Sequence, residues 1–128
     1  MTKKYELTDE TITHEGKTLR RTLRRIRALV DIPVMGVKAG DLGGFIEVED
    51  NLSHEGSCWV GDEAKVYGDA RVFENAQVFG DAQVYGDARV FGNAKVYGSA
   101  RVFENAWVYG SAWVYGSARV FGDQKIAS

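Results

Sequence analysis

The sequence predicts an all-β protein built from stacked triangular coils, and three observations carry this prediction. From Val60 to Lys125 the chain is an unbroken run of eleven hexads, each opening on Val. Ala recurs at every sixth residue from Ala64 to Ala118, and turn pairs such as Gly-Asp, Gly-Asn and Glu-Asn lie between the Val and Ala positions. Three such corners close a coil of eighteen residues. Successive coils then stack about 4.8 Å apart through parallel hydrogen bonds.

Valine is predicted to face the interior of these coils. Side chains alternate along a strand, so in Arg71-Val72-Phe73 the Val points one way and both its neighbours point the other. If the aromatic residues faced inward, the seven Lys and Arg residues that end a hexad would be buried with them. Burying unpaired charges costs several kcal/mol each. Ala is then the small residue that fits each tight corner.

The same frame is predicted to continue backwards to Leu42 without an insertion, which gives fourteen hexads and nearly five coils. The earlier residues at the Val position are His54, Val48 and Leu42, and those at the Ala position are Cys58, Leu52 and Ile46. The prediction therefore places a core histidine and a buried structural thiol in the first coil.

Residues 1–40 are predicted to form an N-terminal cap and junction, and residues 41–128 the repeat. Residues 4–7 are a strand candidate, and His14-Glu15-Gly16 is typical of a hairpin turn between residues 11–13 and 17–19. The segment TLRRTLRRIRALVD that follows has two interpretations. Its Leu and Ile residues recur at helical spacing, whereas in a strand one face would hold Leu23, Arg25, Arg27 and Leu29.

Charge is distributed unevenly along the chain, whose net charge is −2. Residues 1–40 carry nine basic and five acidic groups, and residues 41–128 carry seven and thirteen. A basic cap that meets acidic coils is favoured over an anion-binding end. No apolar run approaches 20 residues and no apolar signal segment opens the chain, so we expect a cytoplasmic protein with no membrane contact. One cysteine excludes a disulfide framework.

The hexads resemble the hexapeptide motif of left-handed parallel β-helices: an aliphatic residue, two or three turn residues, then a small residue. This resemblance implies the left hand. Residues 26–72, IRALVDIPVMGVKAGDLGGFIEVEDNLSHEGSCWVGDEAKVYGDARV, are similar to the N-terminal signature of hexapeptide-repeat proteins of bacterial and prophage genomes. A second TLRR and the DIPVMG insertion depart from that pattern. The resemblance implies a phage-related protein, favours a strand for the TLRR segment, and brings no settled biochemical activity.

Enzymes that share this fold are usually acyltransferases, in which a histidine acts as the base. Only two histidines exist: His14 in the expected hairpin turn and His54 in the expected core. No loop interrupts the hexads, and three zinc-binding histidines, as in a γ-type carbonic anhydrase, are missing. The sequence thus predicts no catalytic residue, metal or cofactor. Turn chemistry accounts for the Asp residues at the corners. A degenerate acyltransferase ranks third among the functions.

Aromatic side chains dominate the predicted outer surface. Ten of the twelve Tyr and Phe residues follow the Val of a hexad, and all three Trp precede it. Because every third hexad shares a face, three ladders result: Phe79, Tyr97 and Tyr115; Tyr67, Tyr85, Phe103 and Phe121; and Phe73, Phe91 and Tyr109. Rings one coil apart should stack, which adds about 0.5–1.5 kcal/mol per pair beyond burial.

Two functions follow from that surface. Exposed apolar rings favour a non-catalytic scaffold that associates with itself. The resemblance implies a homotrimer, with the two Trp-rich faces as the expected contact. The alternative is a phage counter-defence protein that sequesters a small cyclic nucleotide between subunits, through rings beside cations. The acidic repeat makes extended nucleic acid an unlikely partner. The candidate ligand residues are Trp59, Arg71, Arg89, Lys95, Tyr97, Arg101, Trp107, Tyr109, Trp113 and Tyr115.

Overall fold

The computed structural model describes residues 3–15 and 20–127 and confirms an all-β parallel solenoid of about five coils behind an N-terminal hairpin. The hairpin consists of β1 (Tyr5–Glu15) and β2 (Arg20–Ala28), and β3 (Leu42–Ile46) opens the first coil. Short 3₁₀ turns occupy Pro33–Met35 and Glu49–Asn51. The remaining strands have two residues each: β4 (Trp59–Val60), β5 (Lys65–Val66), β6 (Arg71–Val72), β7 (Gln77–Val78), β8 (Gln83–Val84), β9 (Arg89–Val90), β10 (Lys95–Val96), β11 (Arg101–Val102), β12 (Trp107–Val108), β13 (Trp113–Val114), β14 (Arg119–Val120) and β15 (Lys125–Ile126).

Each side of the triangle is a parallel sheet. Side 1 contains β4, β7, β10 and β13; side 2 contains β3, β5, β8, β11 and β14; side 3 contains β6, β9, β12 and β15. Equivalent residues pair in register from coil to coil, as Val60 does with Val78. The Val column is buried from Val60 to Val120, and the Ala column from Ala64 to Ala112. The predicted interior and the membership of all three ladders are therefore confirmed. The left hand of the coil stays a prediction.

Each corner is a β-turn whose second residue has a left-handed backbone. In a typical hexad the Ala70 N–H donates to the Tyr67 carbonyl, and Gly68 between them has φ +69°. The equivalent position holds Asp62, Glu74 and Glu104 in three hexads, with φ of 54°, 60° and 60°. A non-glycine residue in this region costs about 1 kcal/mol, so these three turns are weaker than their neighbours.

The frame predicted for the first coil is wrong by two residues. Ile46 pairs with Val66 and Leu52 with Val72, so these residues occupy the Val position rather than the Ala position. Eight residues separate Leu52 from Val60, where six separate later valines. Val48 and Leu42 are consequently exposed. A large aliphatic side chain cannot fit a corner that holds Ala in every hexad from Ala64 to Ala118, so Ile46 and Leu52 turn into the core.

The cap seals the N-terminal end of the solenoid. Strand β2 pairs antiparallel with β3, and the apolar core continues beneath the first coil into Tyr5, Ile26 and Ile32. The strand interpretation of the TLRR segment is thus confirmed. The expected single face is wrong, because a register shift between Arg25 and Arg27 makes Ile26 and Ala28 buried and leaves Leu29 exposed.

The hairpin is confirmed, but His14 and Glu15 belong to its first strand rather than to the expected turn. Strand β1 continues through His14 and Glu15, and the backbone of His14 pairs with Arg21. Residues 16–19, which include the last residue of the expected turn and all of the expected second strand segment 17–19, fall outside the described residues. The pairing of Thr11 to Glu15 with β2 extends the strand through the expected turn residues His14 and Glu15, because each paired residue adds ladder hydrogen bonds.

Arginines of β2 join the cap to the acidic coils. Arg21 Nη1 lies 2.8 Å from Glu47 Oε1, and Arg25 bridges Glu10 of the cap and Glu63 of the second coil. The Arg25 guanidinium also covers the ring of Phe45 at 4.3 Å. This arrangement agrees with the basic cap and acidic repeat expected from the charge distribution.

Candidate binding surfaces

The ten predicted ligand residues lie on three different sides of one chain. Side 3 carries four of them and side 2 one, with the rest on side 1. The side 3 residues are Arg71, Arg89, Trp107 and Tyr109; the side 2 residue is Arg101; the side 1 residues are Trp59, Lys95, Tyr97, Trp113 and Tyr115. A single chain therefore does not bring them together into one site.

Ladder rings stack so closely that they show their edges to the solvent. Ring centroids are 4.9 Å apart for Phe79 and Tyr97 and 5.2 Å apart for Phe91 and Tyr109, with interplanar angles of 5° and 6°. The ring faces therefore point along the solenoid and cover one another. Inside a ladder a planar ligand cannot insert without separating the coils. Among the described residues, the last rings of the ladders at the C-terminal end have no ring stacked above them.

The three tryptophans have different environments. Trp59 is 5% exposed, packed beside Gly43 of the junction, so it is not available as a surface platform. Trp107 lies between two cations, Arg89 at 5.9 Å and Lys125 at 4.9 Å from its ring centroid. Trp113 has Lys95 at 5.4 Å and is 58% exposed. Of the three, Trp113 is thus the one that offers a large open surface.

Two predicted ligand residues, Arg71 and Arg89, share a cleft beside the first coil. The cleft has a volume of about 640 Å³, and Phe73, Glu49 and His54 also line it. Arg71 and Arg89 pair directly on adjacent strands, so two like charges lie one coil apart. Among the described residues neither guanidinium has a carboxylate within ion-pair distance. An anion between them would relieve their repulsion.

His54 also lines this cleft, contrary to its expected place in the core. It lies between Leu52 and Val60, where the first coil is two residues longer than later coils. Its ring stacks on Tyr5, with the ring centroids 4.1 Å apart. Nδ1 accepts a hydrogen bond from the Lys4 backbone N–H at 3.1 Å, so the ring proton is on Nε2, which donates to Glu49 at 3.1 Å. The hydrogen bond from His54, and then Lys3, lower the pKa of the Glu49 carboxyl.

The burial of Lys4 and its contact with Cys58 could not be predicted from the sequence. Its Nζ donates to the Cys58 carbonyl at 2.6 Å and lies 3.2 Å from Cys58 Sγ. Burial lowers the pKa of Lys4, and burial raises the pKa of the Cys58 thiol. Cys58 takes the predicted Ala position and is fully buried, so the expectation of a structural thiol is confirmed. The contact anchors β1 beneath the first coil.

Across residues 3–15 and 20–127, no group of three or more His, Cys, Asp and Glu residues is placed to hold a metal ion. The same ranges contain no helix with the length and apolar character needed to cross a membrane.

Comparison with known proteins identifies the repeat. Residues 64–80 and 82–98 match the family model described as YdcK Beta solenoid repeat. The two segments cover about a quarter of the chain and lie entirely within the hexads. No curated protein matches the chain.

Proposed function

Because this chain is a β-solenoid repeat protein, we propose that it is a non-catalytic scaffold that associates with copies of itself. The observation that carries the proposal is the concentration of exposed rings in the last coil. Trp113 is 58%, Tyr115 57% and Phe121 46% exposed, whereas their ladder neighbours in lower coils are partly or fully covered. Monomeric proteins rarely expose a large contiguous apolar patch.

The environment of His54 supports a non-catalytic role. A general base needs a free imidazole lone pair within reach of the proton it removes. The one lone pair of His54 is occupied by the Lys4 N–H, and its ring proton is directed at Glu49. The surrounding contacts fit a histidine that fastens the cap to the first coil.

Light scattering on the full chain, coupled to size exclusion over a wide concentration range, tests the association. We expect an oligomer whose mass falls on dilution. The subunit number separates the trimer implied by the hexapeptide resemblance, with sides 1 and 3 in contact, from assemblies built on another surface. A monomer at every concentration would overturn the proposal.

The first-coil cleft favours a second candidate function, sequestration of a small cyclic nucleotide as in phage counter-defence. Its Arg71 and Arg89 present two adjacent guanidiniums, and Phe73 lies beside them. Phosphates pair well with paired guanidiniums, and a base stacks on an aromatic side chain. The cleft lies within one chain, whereas the sequence pointed to a site between subunits.

Calorimetric titration with cyclic dinucleotides, cyclic oligonucleotides and cyclic ADP-ribose isomers tests this second function. Binding that Arg71→Gln abolishes and Arg101→Gln leaves unchanged would support it, because Arg101 lies on side 2, away from the cleft. Flat traces with the unmodified chain would exclude it.

A further inference from the structure

In the last described coil a side chain accepts a hydrogen bond that a backbone carbonyl accepts in lower coils. In lower coils the N–H after each Val donates upward to a carbonyl of the next coil, as Phe103 does to Val120 at 3.0 Å. The equivalent N–H of Phe121 donates instead to Gln124 Oε1 at 2.9 Å. Gln124 stands where the Ala column has Ala in every hexad from Ala64 to Ala118. The sequence thus changes at the position where the stacking stops.

Other backbone N–H groups at the strand edges of this coil have no such side-chain acceptor among the described residues. The N–H groups of Lys95 and Arg101 donate to Ala112 and Ala118 of the coil above, at 2.9 and 3.0 Å. Within residues 3–15 and 20–127, the corresponding N–H groups of Trp113 and Arg119 have no acceptor. Unpaired strand edges of this kind recruit further strands.

Ring faces are also open at this end. Tyr115 stacks on Tyr97 at 5.4 Å and Phe121 on Phe103 at 5.5 Å, each through the face turned toward the lower coil. Among the described residues, no ring lies on their upper faces. Arg119 lies beside them on side 2, exposed and with no carboxylate within ion-pair distance among the described residues. The end surface therefore combines the exposed cation of Arg119 with open aromatic faces.

This combination is complementary to itself under a two-fold axis. Around Val120 in the last coil, residues of different chemical type stand before and after the aliphatic residue. The cation Arg119 comes first and the aromatic Phe121 follows. A two-fold axis across the end reverses the direction of the facing strand, so the residue before Val in one copy lies opposite the residue after Val in the other. Arg119 then never faces the cation of the partner.

We propose that two copies dock through side-chain contacts of their last coils, with β14 of one copy running in the opposite direction to β14 of the other, while the Phe121 N–H stays bonded to Gln124. Arg119 lies over the free face of the partner's Phe121, and the symmetry repeats this contact. Lys125 lies opposite the partner's Tyr115 on the flanking sides. The docking rests on the proposed self-association and specifies its surface. It requires an even number of chains, two if this is the sole contact.

Sedimentation equilibrium of the full chain and three variants tests this docking. Arg119→Glu removes both copies of the cation–π contact and should raise the dissociation constant by about tenfold or more. Arg119→Lys keeps the cation and should stay near the parent value. Arg101→Glu is the matched control, because Arg101 has the same position one coil lower on the same side.

The outcomes separate this docking from the proposed function. An even subunit number that Arg119→Glu weakens and Arg101→Glu does not would support the docking. A trimer, or equal weakening by the two Glu variants, would overturn the end contact and leave self-association standing. A parent chain that is monomeric throughout would overturn both. Equal melting temperatures of the dilute variants establish that each is folded.

Discussion

The two ends of the solenoid are closed in different ways. At the N-terminal end β2 pairs with β3, the Tyr5 ring is fully buried, and the Tyr5 hydroxyl donates to the Leu52 carbonyl at 2.6 Å. At the C-terminal end a single side chain, Gln124, closes one backbone N–H. Since the coils between them repeat the same contacts, the ends decide where the molecule is stable and where it is available for association.

The same substitution at equivalent positions of the two end coils should have the largest difference in effect. Ile46 is fully buried under the cap, whereas Ile126 in the last coil is half-buried. Ile46→Asp should cost more than about 4 kcal/mol and unfold the first coil, because an unpaired carboxylate would enter the core. Ile126→Asp should cost less than about 1 kcal/mol. Urea unfolding followed by circular dichroism compares them, and similar midpoints would contradict the contrast.

Truncating a tyrosine at each end gives the next largest contrast. Tyr5→Ala removes a buried ring, its stacking on His54 and two hydrogen bonds, so it should cost about 3–5 kcal/mol. Tyr115→Ala removes an exposed ring of the last coil and should cost less than about 1 kcal/mol in the dilute chain. Thermal melts measure both. A Tyr115 variant as unstable as the Tyr5 variant would show that the last coil is held as firmly as the first.

Alkaline pH should loosen the cap before the last coil. Burial, and then the neighbouring Tyr85, raise the pKa of Tyr67 to about 12 from an ordinary value of 10.0. The folded state keeps this proton longer than the unfolded state, so the stabilisation is complete below pH 10 and is lost as the pH rises toward 12. The slope should reach about 1.4 kcal/mol per pH unit.

Tyr67→Phe should flatten this dependence between pH 10 and 12, as measured by urea unfolding at each pH. Tyr5 and Cys58 contribute in the same direction, because burial raises the pKa of both groups. Lys4 contributes in the opposite direction, because burial lowers its pKa. Tyr115→Phe, in an exposed ring, is the matched control. An unchanged slope in the Tyr67 variant would assign the alkaline loss to the other groups.

The smallest effect is expected at Gln124. Gln124→Ala restores the residue of the column but leaves the Phe121 N–H without an acceptor, at about 0.5 kcal/mol because the site is open to water. Hydrogen exchange at the Phe121 amide should become faster in this variant. Gln124→Glu retains an acceptor oxygen and should keep the protection. Equal exchange in all three chains would mean that Gln124 does not close the end.

The regular coils could be predicted from the sequence because one physical constraint repeats eleven times. With Val inside, the adjacent basic residues are forced outside, and the ladders then follow from counting eighteen residues. The first coil could not be placed by counting, because Leu42, Ile46, Val48 and Leu52 are all apolar and satisfy two frames. Side-chain size distinguishes the two frames, because Ile46 and Leu52 are too large for corners that hold Ala from Ala64 to Ala118.

The binding surfaces were predicted less well than the fold. The residue type of Trp59 predicted an exposed ring, but Gly43 of β3 packs beside it and the ring is buried, which the repeat pattern does not reveal. The anchor formed by Lys4, Cys58 and His54 joins residues about fifty positions apart, and no local pattern marks it. The value of the last coil as a contact surface becomes visible only when stacked and free ring faces are distinguished.

The unequal step of the first coil has a consequence for how the length of this protein can change. Between Val60 and Val120 any eighteen-residue segment can be removed or duplicated, and every side chain above the junction returns to its own column. Across residues 46–66 the same operation requires twenty residues, since Ile46 pairs with Val66. Length variants of this protein should therefore differ by whole eighteen-residue coils between Val60 and Val120, with residues 46–66 unchanged.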